Sequence, residues 1–417
     1  MPDTNRPLAP KRNYDIQLTI KGDSGKVNIY SEDVQNIQIN SSITNPWQVV
    51  IITMLVEPQH MMLEQVFGQE PIKLTINLTS QDDNVTSSVD FDLLFADIDF
   101  RIPVSSRSSE SSGQVDRTTI TINTVMRDPY KTMTTLVNNI YGAKESHKTI
   151  KEVIENLTSG INKSKLEYDS EGENSIKLDQ VIIIPMPLIN ALKYLNNTFG
   201  IHNGATMITC RHDNKIVVSN LSKKIKKAEL ITFTHVAQDS KNKDIYNEST
   251  DGRHYYTVDN IKTKYTANSK FAVLGNNLKH IVKPSDKLYN IIEQSLEDVC
   301  KSYGIMDGKK ITTDSQFERD KYYINHTGYD DSEIFANSIV SRKIYNMSTI
   351  SFQIERNLLL ENLLKVGEPI LFKTETQEYT DLIGKYILFS TDITFSKTQS
   401  GWQSKCTINL VRTNKIK

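Results

Sequence analysis

From Tyr14 to Val125, apolar residues keep returning at every second position, as in Tyr14, Ile16, Leu18, Ile20 and again Ile72, Leu74, Ile76, Leu78. A period of two puts alternate side chains on one side of an extended chain, so this stretch reads as strands with one buried face. Val27–Tyr30, Val34–Asn40, Trp47–Val56, Val89–Phe100 and Thr118–Val125 are further strand candidates. Closely spaced strands without intervening helices point to an antiparallel sheet or barrel. Within Val89–Phe100 the apolar phase slips between Phe95 and Ile98, which predicts a bulge near Ala96. The serine-rich, almost apolar-free Ser105–Gln114 reads as an exposed loop that orders against a partner.

At Asp128 the period changes. Asp128 is placed to cap a helix starting at Pro129, with Met133, Leu136, Val137 and Ile140 in helical spacing before Gly142. Ile150, Val153, Ile154 and Leu157 predict a second helix ending near Gly160, and Pro187 to Gly200 a third. Val181–Ile184, Ala205–Cys210 and Lys215–Ser219 are strand-like, so 128–225 reads as an α+β unit between β regions. The run Lys223, Lys224, Lys226, Lys227 is expected to be a solvated linker face rather than a phosphate patch, and Asp239–Gly252 a long loop. Ser285, Asp286, Leu288, Ile292, Leu296 and Val299 mark another helix, closed by Gly304. Alternation returns in Ile350, Phe352, Ile354, then Ile370 and Phe372. Last comes a long hairpin of Lys385–Phe395 and Trp402–Arg412, with Trp402, Ser404, Cys406, Ile408 and Leu410 on one face.

Composition narrows the class. The 417 residues carry 49 Lys plus Arg against 50 Asp plus Glu, a net charge of −1, with 38% hydrophobic and 24% charged residues. At roughly 150 residues per domain this length suggests about three folded units of ordinary globular composition. A near-zero net charge lacks the global basic field of a non-specific nucleic-acid binder. Cys210, Cys300 and Cys406 are too few and too scattered for a disulfide framework and read as buried thiols in a reducing compartment. Met1–Asn13 is polar with three prolines and does not resemble a signal peptide, and Trp47–Val56, the longest apolar stretch, falls short of the ~20 residues of a membrane span.

No strong catalytic or cofactor motif is present. None of the eight histidines precedes Glu, and the phosphate-binding Gly-x-x-x-x-Gly-Lys-Ser/Thr and nucleophile-elbow Gly-x-Ser-x-Gly patterns are missing. Cys210, His212 and His202 could supply three metal ligands, but no second ligand pair follows, so no metal is assigned. Asp90 with Asp92, and Asp97 with Asp99, pair on strand faces, where facing carboxylates can hold a hard cation or share a proton. A solvated strand face is the simpler reading. The 18 Tyr and 13 Phe are dispersed, without a stacking platform for bases, and read as core or interface residues.

Two stretches carry a family likeness. Pro187-Leu188-Ile189-Asn190-Ala191-Leu192-Lys193-Tyr194-Leu195-Asn196-Asn197-Thr198-Phe199-Gly200-Ile201, followed by strands ending in Val217-Val218-Ser219-Asn220-Leu221, resembles the central module of tailed-phage baseplate hub proteins. Gly384–Leu388, Asp392–Phe395 and Thr407–Arg412 are similar to the last strands of their second barrel. The resemblance implies a mainly β, α+β chain of two tube-like antiparallel β-barrels with an inserted α+β domain and a small helical insertion. Its expected segments are 1–127 for the first barrel, 128–225 for the α+β domain, 226–283 and 346–417 for the two parts of the second barrel, and 284–345 for the helical insertion.

The same resemblance implies a homotrimer whose six barrels form a ring of quasi-sixfold symmetry, joining a sixfold tail tube to a threefold central spike around the DNA channel. Expected partners are its own copies, a tail tube or tube-initiator protein, the spike and other baseplate proteins, with DNA passing without specific binding. The place is the virion tail baseplate, assembled in the host cytoplasm. No catalytic residue, metal or cofactor is implied. Because a DNA channel should avoid a basic lining, Asp97 and Asp99 are the candidate channel-lining residues. The competing readings are a tail-associated cell-wall hydrolase, with Glu152 or Glu155 in the 128–225 unit, and a peripheral receptor-binding module. Against the first, no Glu has an Asp at the spacing of phage lysozymes.

Overall fold

A computed structural model describes residues 12–22, 25–29, 33–56, 72–80, 86–101, 118–142, 147–161, 165–178, 180–211, 213–225, 227–237, 246–265, 348–354, 364–399 and 401–412. The chain is mainly β and groups into two compact units. Unit 1 takes Met1–Tyr130, Gln353–Leu364 and Ser390–Ile408, and unit 2 takes Lys131–Phe352, Lys365–Phe389 and Asn409–Lys417. The expected loop at Ser105–Gln114, the expected helix from Ser285 to Gly304, Cys300 and His212 lie outside the described residues.

Unit 1 begins with β1 (Arg12–Gly22), β2 (Gly25–Ile29), β3 (Val34–Ser42), β4 (Val49–Val56), β5 (Ile72–Ser80), β6 (Thr86–Arg101) and β7 (Thr118–Met126). The strands pair antiparallel in the order β3-β4-β7-β6-β5-β1-β2. One face is aliphatic throughout. Ile37 and Ile39 on β3, Val50, Ile52 and Met54 on β4, Ile72, Leu74 and Ile76 on β5, and Ile120 and Ile122 on β7 are all at most 1% exposed. The one polar member of the β7 row, Thr124, donates its hydroxyl to the Val50 carbonyl at 2.7 Å, so its burial leaves no hydroxyl without a partner.

Helix α1 (Arg127–Thr134) stops well short of the expected end near Ile140, and β8 (Leu136–Tyr141) replaces its second half. The sequence explains the correction. Threonine, valine and asparagine dominate 132–139 and disfavour helix, the Thr135 hydroxyl donates to the Lys131 carbonyl at 2.8 Å, and the Thr135 carbonyl accepts from Leu188 N at 2.9 Å. Four apolar residues at helical spacing fit two faces of a strand equally well.

Unit 2 continues with β9 (Lys148–Thr149), α2 (Ile150–Ser159), β10 (Lys165–Tyr168), β11 (Lys177–Leu178), β12 (Val181–Pro187), α3 (Leu188–Thr198), β13 (Thr206–Cys210), β14 (Lys215–Asn220) and α4 (Leu221–Lys224). The second and third expected helices are present. Thr149 caps α2 in a capping box with Glu152. Strand β12 pairs with β8, and β10-β14-β13 form a mixed sheet. Leu188, Ala191, Leu192 and Leu195 of α3 are fully buried, as are Val153 and Ile154 of α2.

Four strands follow: β15 (Ile231–His235), β16 (Tyr246–Glu248), β17 (His254–Val258) and β18 (Ile261–Tyr265). After them come β19 (Ser348–Ile354), β20 (Pro369–Thr374), β21 (Gly384–Thr398) and β22 (Gly401–Arg412). Strand β15 lies parallel to both β17 and β20, a feature that alternation does not encode. Phe233, Tyr256, Phe352, Phe372 and Tyr386 form one aromatic chain with ring centroids 4.7–6.1 Å apart. In unit 2 the first residues of β21 pair with β20, and in unit 1 its later residues, Ser390–Ser396, pair with β3. On β22, Ser404, Cys406, Ile408 and Leu410 are buried, as the alternation predicts.

The lysine run is corrected in part. Lys224 is 7% exposed and its Nζ lies 2.9 Å from the Glu368 carboxylate, so one member of the run is a buried ion-pair residue.

Candidate channel-lining face

The side of the unit 1 sheet opposite its aliphatic core is polar and acidic, and one extra residue makes it so. Pairing between β6 and β7 runs Phe95↔Thr124 and then Asp97↔Asn123, with the register shifting between them. Ala96 is the additional residue, at the bulge that the phase slip predicts. Before it, the acids sit at even positions, with Asp92 opposite Lys73 and Asp90 opposite Thr75. After it they sit at odd positions, with Asp97 opposite Asn123 and Asp99 opposite Thr121. Parity reverses and the bulge reverses it again, so all four carboxylates share one face while Phe91, Leu93 and Ile98 share the other.

The face extends over the neighbouring strands as a nearly neutral polar lawn. Thr53 on β4, Asn36, Gln38 and Asn40 on β3, and Thr394 and Ser396 on β21 continue it, and Asp392 adds a fifth acid opposite Asn40. Among the described residues of these rows, five aspartates meet a single lysine, Lys73. Asp90, Asp92, Asp97, Asp99 and Asp392 are all exposed.

Local partners shape the carboxylates differently. Asp90 accepts a hydrogen bond from the Thr75 hydroxyl at 2.7 Å and lies 3.1 Å from Lys73 Nζ, and these hold its carboxyl below the usual range. Asp97 accepts from the Asn123 amide. Partial burial pushes Asp392 up, and burial together with Asp392 pushes the Cys406 thiol up as well. Sequence reading picks out Asp97 and Asp99 and sets Asp90 and Asp92 aside. The phase slip itself was the signal that could have joined the two pairs.

The other candidates do not form a reactive site. His202 is fully buried, its Nε2 donating to the Asp169 carbonyl at 2.7 Å and its Nδ1 lying 3.0 Å from the Thr206 hydroxyl, so both ring nitrogens serve the fold. Cys210 is a buried thiol whose Sγ lies 3.6 Å from the Asn214 side-chain oxygen. No group of three or more potential metal ligands occurs among the described residues. Glu152 is the reciprocal member of the α2 capping box, accepting from Thr149 N at 2.8 Å, and that backbone bond lowers its pKa. Among the described residues no helix is long and apolar enough to cross a membrane.

No protein-family model and no curated protein sequence matches the chain significantly. Its fold does match solved structures. The tail protein from Neisseria meningitidis MC58 superposes with a TM-score of 0.52 at 9% identity, covering 96% of this chain and 97% of that one. The 43 kDa tail protein of prophage MuSo2 from Shewanella oneidensis gives 0.52 at 10% identity, covering 96% and 99%. Over nearly its whole length, the chain has the fold of these phage tail proteins, in line with the hub resemblance carried by residues 187–221 and 384–412.

Proposed function

We propose that the protein is a structural baseplate hub of a phage tail. In this reading three copies form a ring of quasi-sixfold symmetry that joins the sixfold tail tube to the threefold central spike, with DNA passing through its axis. The observation that carries it is the fold shared end to end with two phage tail proteins. The acidic polar face of unit 1 supports the channel. A duplex with one phosphate charge per ~1.7 Å of axis is held by lysine and arginine and slides past carboxylates and amides. Asp97 and Asp99, joined by Asp90 and Asp92, are assigned to that lining.

No turnover is assigned to the protein. Of the two glutamates on which a cell-wall hydrolase would rest, Glu152 is committed to capping α2. The tail baseplate is the corresponding location, with the tube, the spike and other baseplate proteins as neighbours. The test is assembly: light scattering on the full chain should give a trimer mass, and negative-stain images a ring with a central hole. A monomer that stays monomeric when mixed with tube and spike proteins would remove the reading.

A further inference from the structure

Strands β8 and β12 form a two-stranded antiparallel sheet with both faces apolar. Tyr141, Val181 and Ile183 are buried on the inner face, where α2 and α3 pack. The outer face is uncovered: Leu136 is 71% exposed, Ile140 57%, Ile182 50% and Ile184 62%. Ile140 stands directly opposite Ile182, and Leu136 opposite Pro187, so these side chains make one patch rather than scattered points. Neither strand contains a charged residue.

We infer that this outer face is where a second copy of the chain docks, an inference that rests on the trimeric reading above and names the surface through which it closes. Four large aliphatic side chains at these exposures present on the order of 400 Å² of apolar surface, the size at which a patch marks an interaction site. Exposed two-stranded sheets ordinarily carry lysine or another charge that blocks edge-to-edge association, and β8 and β12 carry none. A surface without gatekeepers is one that stays covered.

The kind of partner follows from charge. An uncharged aliphatic face matches the core of a permanent interface between copies, which is more apolar than that of transient contacts. A chain of net charge −1 approaches its own copy with little repulsion. In a cyclic trimer the contact is heterologous, so the face meets a different surface on the neighbour.

The experiment compares the full chain with the double variant Ile140→Asp, Ile182→Asp and with Lys193→Glu, an exposed α3 control, by light scattering over a concentration series. Circular dichroism and unfolding midpoints report on folding. The wild type and the control should hold the trimer mass, while the folded double variant dissociates at concentrations at least about a hundredfold higher. Ile182→Ser, which adds no charge, should shift dissociation the same way by a smaller factor and decides the matter where the double variant does not fold. Trimers that persist unchanged in the folded variants overturn this inference and leave the hub reading standing. A wild type that is monomeric at every concentration overturns both. Intact trimers that lose binding to another tail protein assign the face to that protein and overturn docking by a copy.

Discussion

Gly367 holds a position that no other residue fits without strain. Its φ of +86° is left-handed, its N–H donates to the Leu388 carbonyl at 2.8 Å, and a Cβ there would stand 2.6 Å from Met207 Sδ and 2.8 Å from Cε. Met207 is 3% exposed, so its thioether has little room to retreat. Gly367→Ala should therefore destabilise the protein by about 2–4 kcal/mol in urea unfolding, from backbone strain and overpacking together. Adding Met207→Ala relieves the overpacking, so the double variant should lose less than the sum of the two single ones. His202 gives a pH signature at the same scale. Burial lowers its pKa, so the folded state favours neutral imidazole while the unfolded state protonates near pH 6.5. Stability is then fully present above about pH 6.5 and falls as pH drops from there towards the lowered folded value, because the unfolded chain binds the extra proton. His202→Gln should flatten that slope between pH 6.5 and 5 while leaving the acid unfolding of the carboxylates below it.

Elements differ in how far the sequence discloses them, and the reason is whether one pattern fits one structure. Strands β3, β5 and β7 alternate cleanly because one face is buried and one is not, and α2 is marked twice, by its spacing and by the Thr149–Glu152 box. Strand β8 is not legible. Its apolar residues lie on both faces, Tyr141 inward and Leu136 and Ile140 outward, and a two-faced apolar strand imitates helical periodicity. The parallel pairing of β15 lies equally beyond reach, since register and direction belong to partners distant in sequence. The Ala96 bulge is legible as a phase slip, and its consequence can be tested. Deleting Ala96 forces Asp97 and Asp99 towards Ile122 and Ile120 or slides half of β6 along β7. Burying two carboxylates costs several kcal/mol, so the deletion should abolish cooperative unfolding of unit 1, whereas Ala96→Ser should change stability by under about 1 kcal/mol. A deletion variant as stable as the wild type would show that the acidic face does not depend on the bulge.

At the scale of the whole molecule, the sequence supports the hub resemblance through two short stretches, and the fold extends it over nearly the entire length, yet neither carries a motif for what the surfaces touch. Electrostatics supply the handle. In a trimer, changing Asp97 and Asp99 to lysine places six new cations around the proposed channel, three copies with two residues each. Every phosphate they neutralise adds about −0.9 to the slope of log affinity against log salt. The wild-type ring should show no measurable retention of duplex DNA at 50 mM salt. The Asp97→Lys, Asp99→Lys ring should retain it with a slope of several units, and virions carrying it should eject their genome more slowly, with the defect relieved as salt rises. Both residues are exposed, so the substitutions leave the core untouched, and a matching Lys262→Glu, Lys264→Glu variant on β18 controls for charge change away from the face. Ejection and DNA retention that stay at wild-type values in a properly assembled lysine ring would mean that the acidic side of unit 1 does not face the genome's path, and the lining would have to be sought on another surface of the same fold.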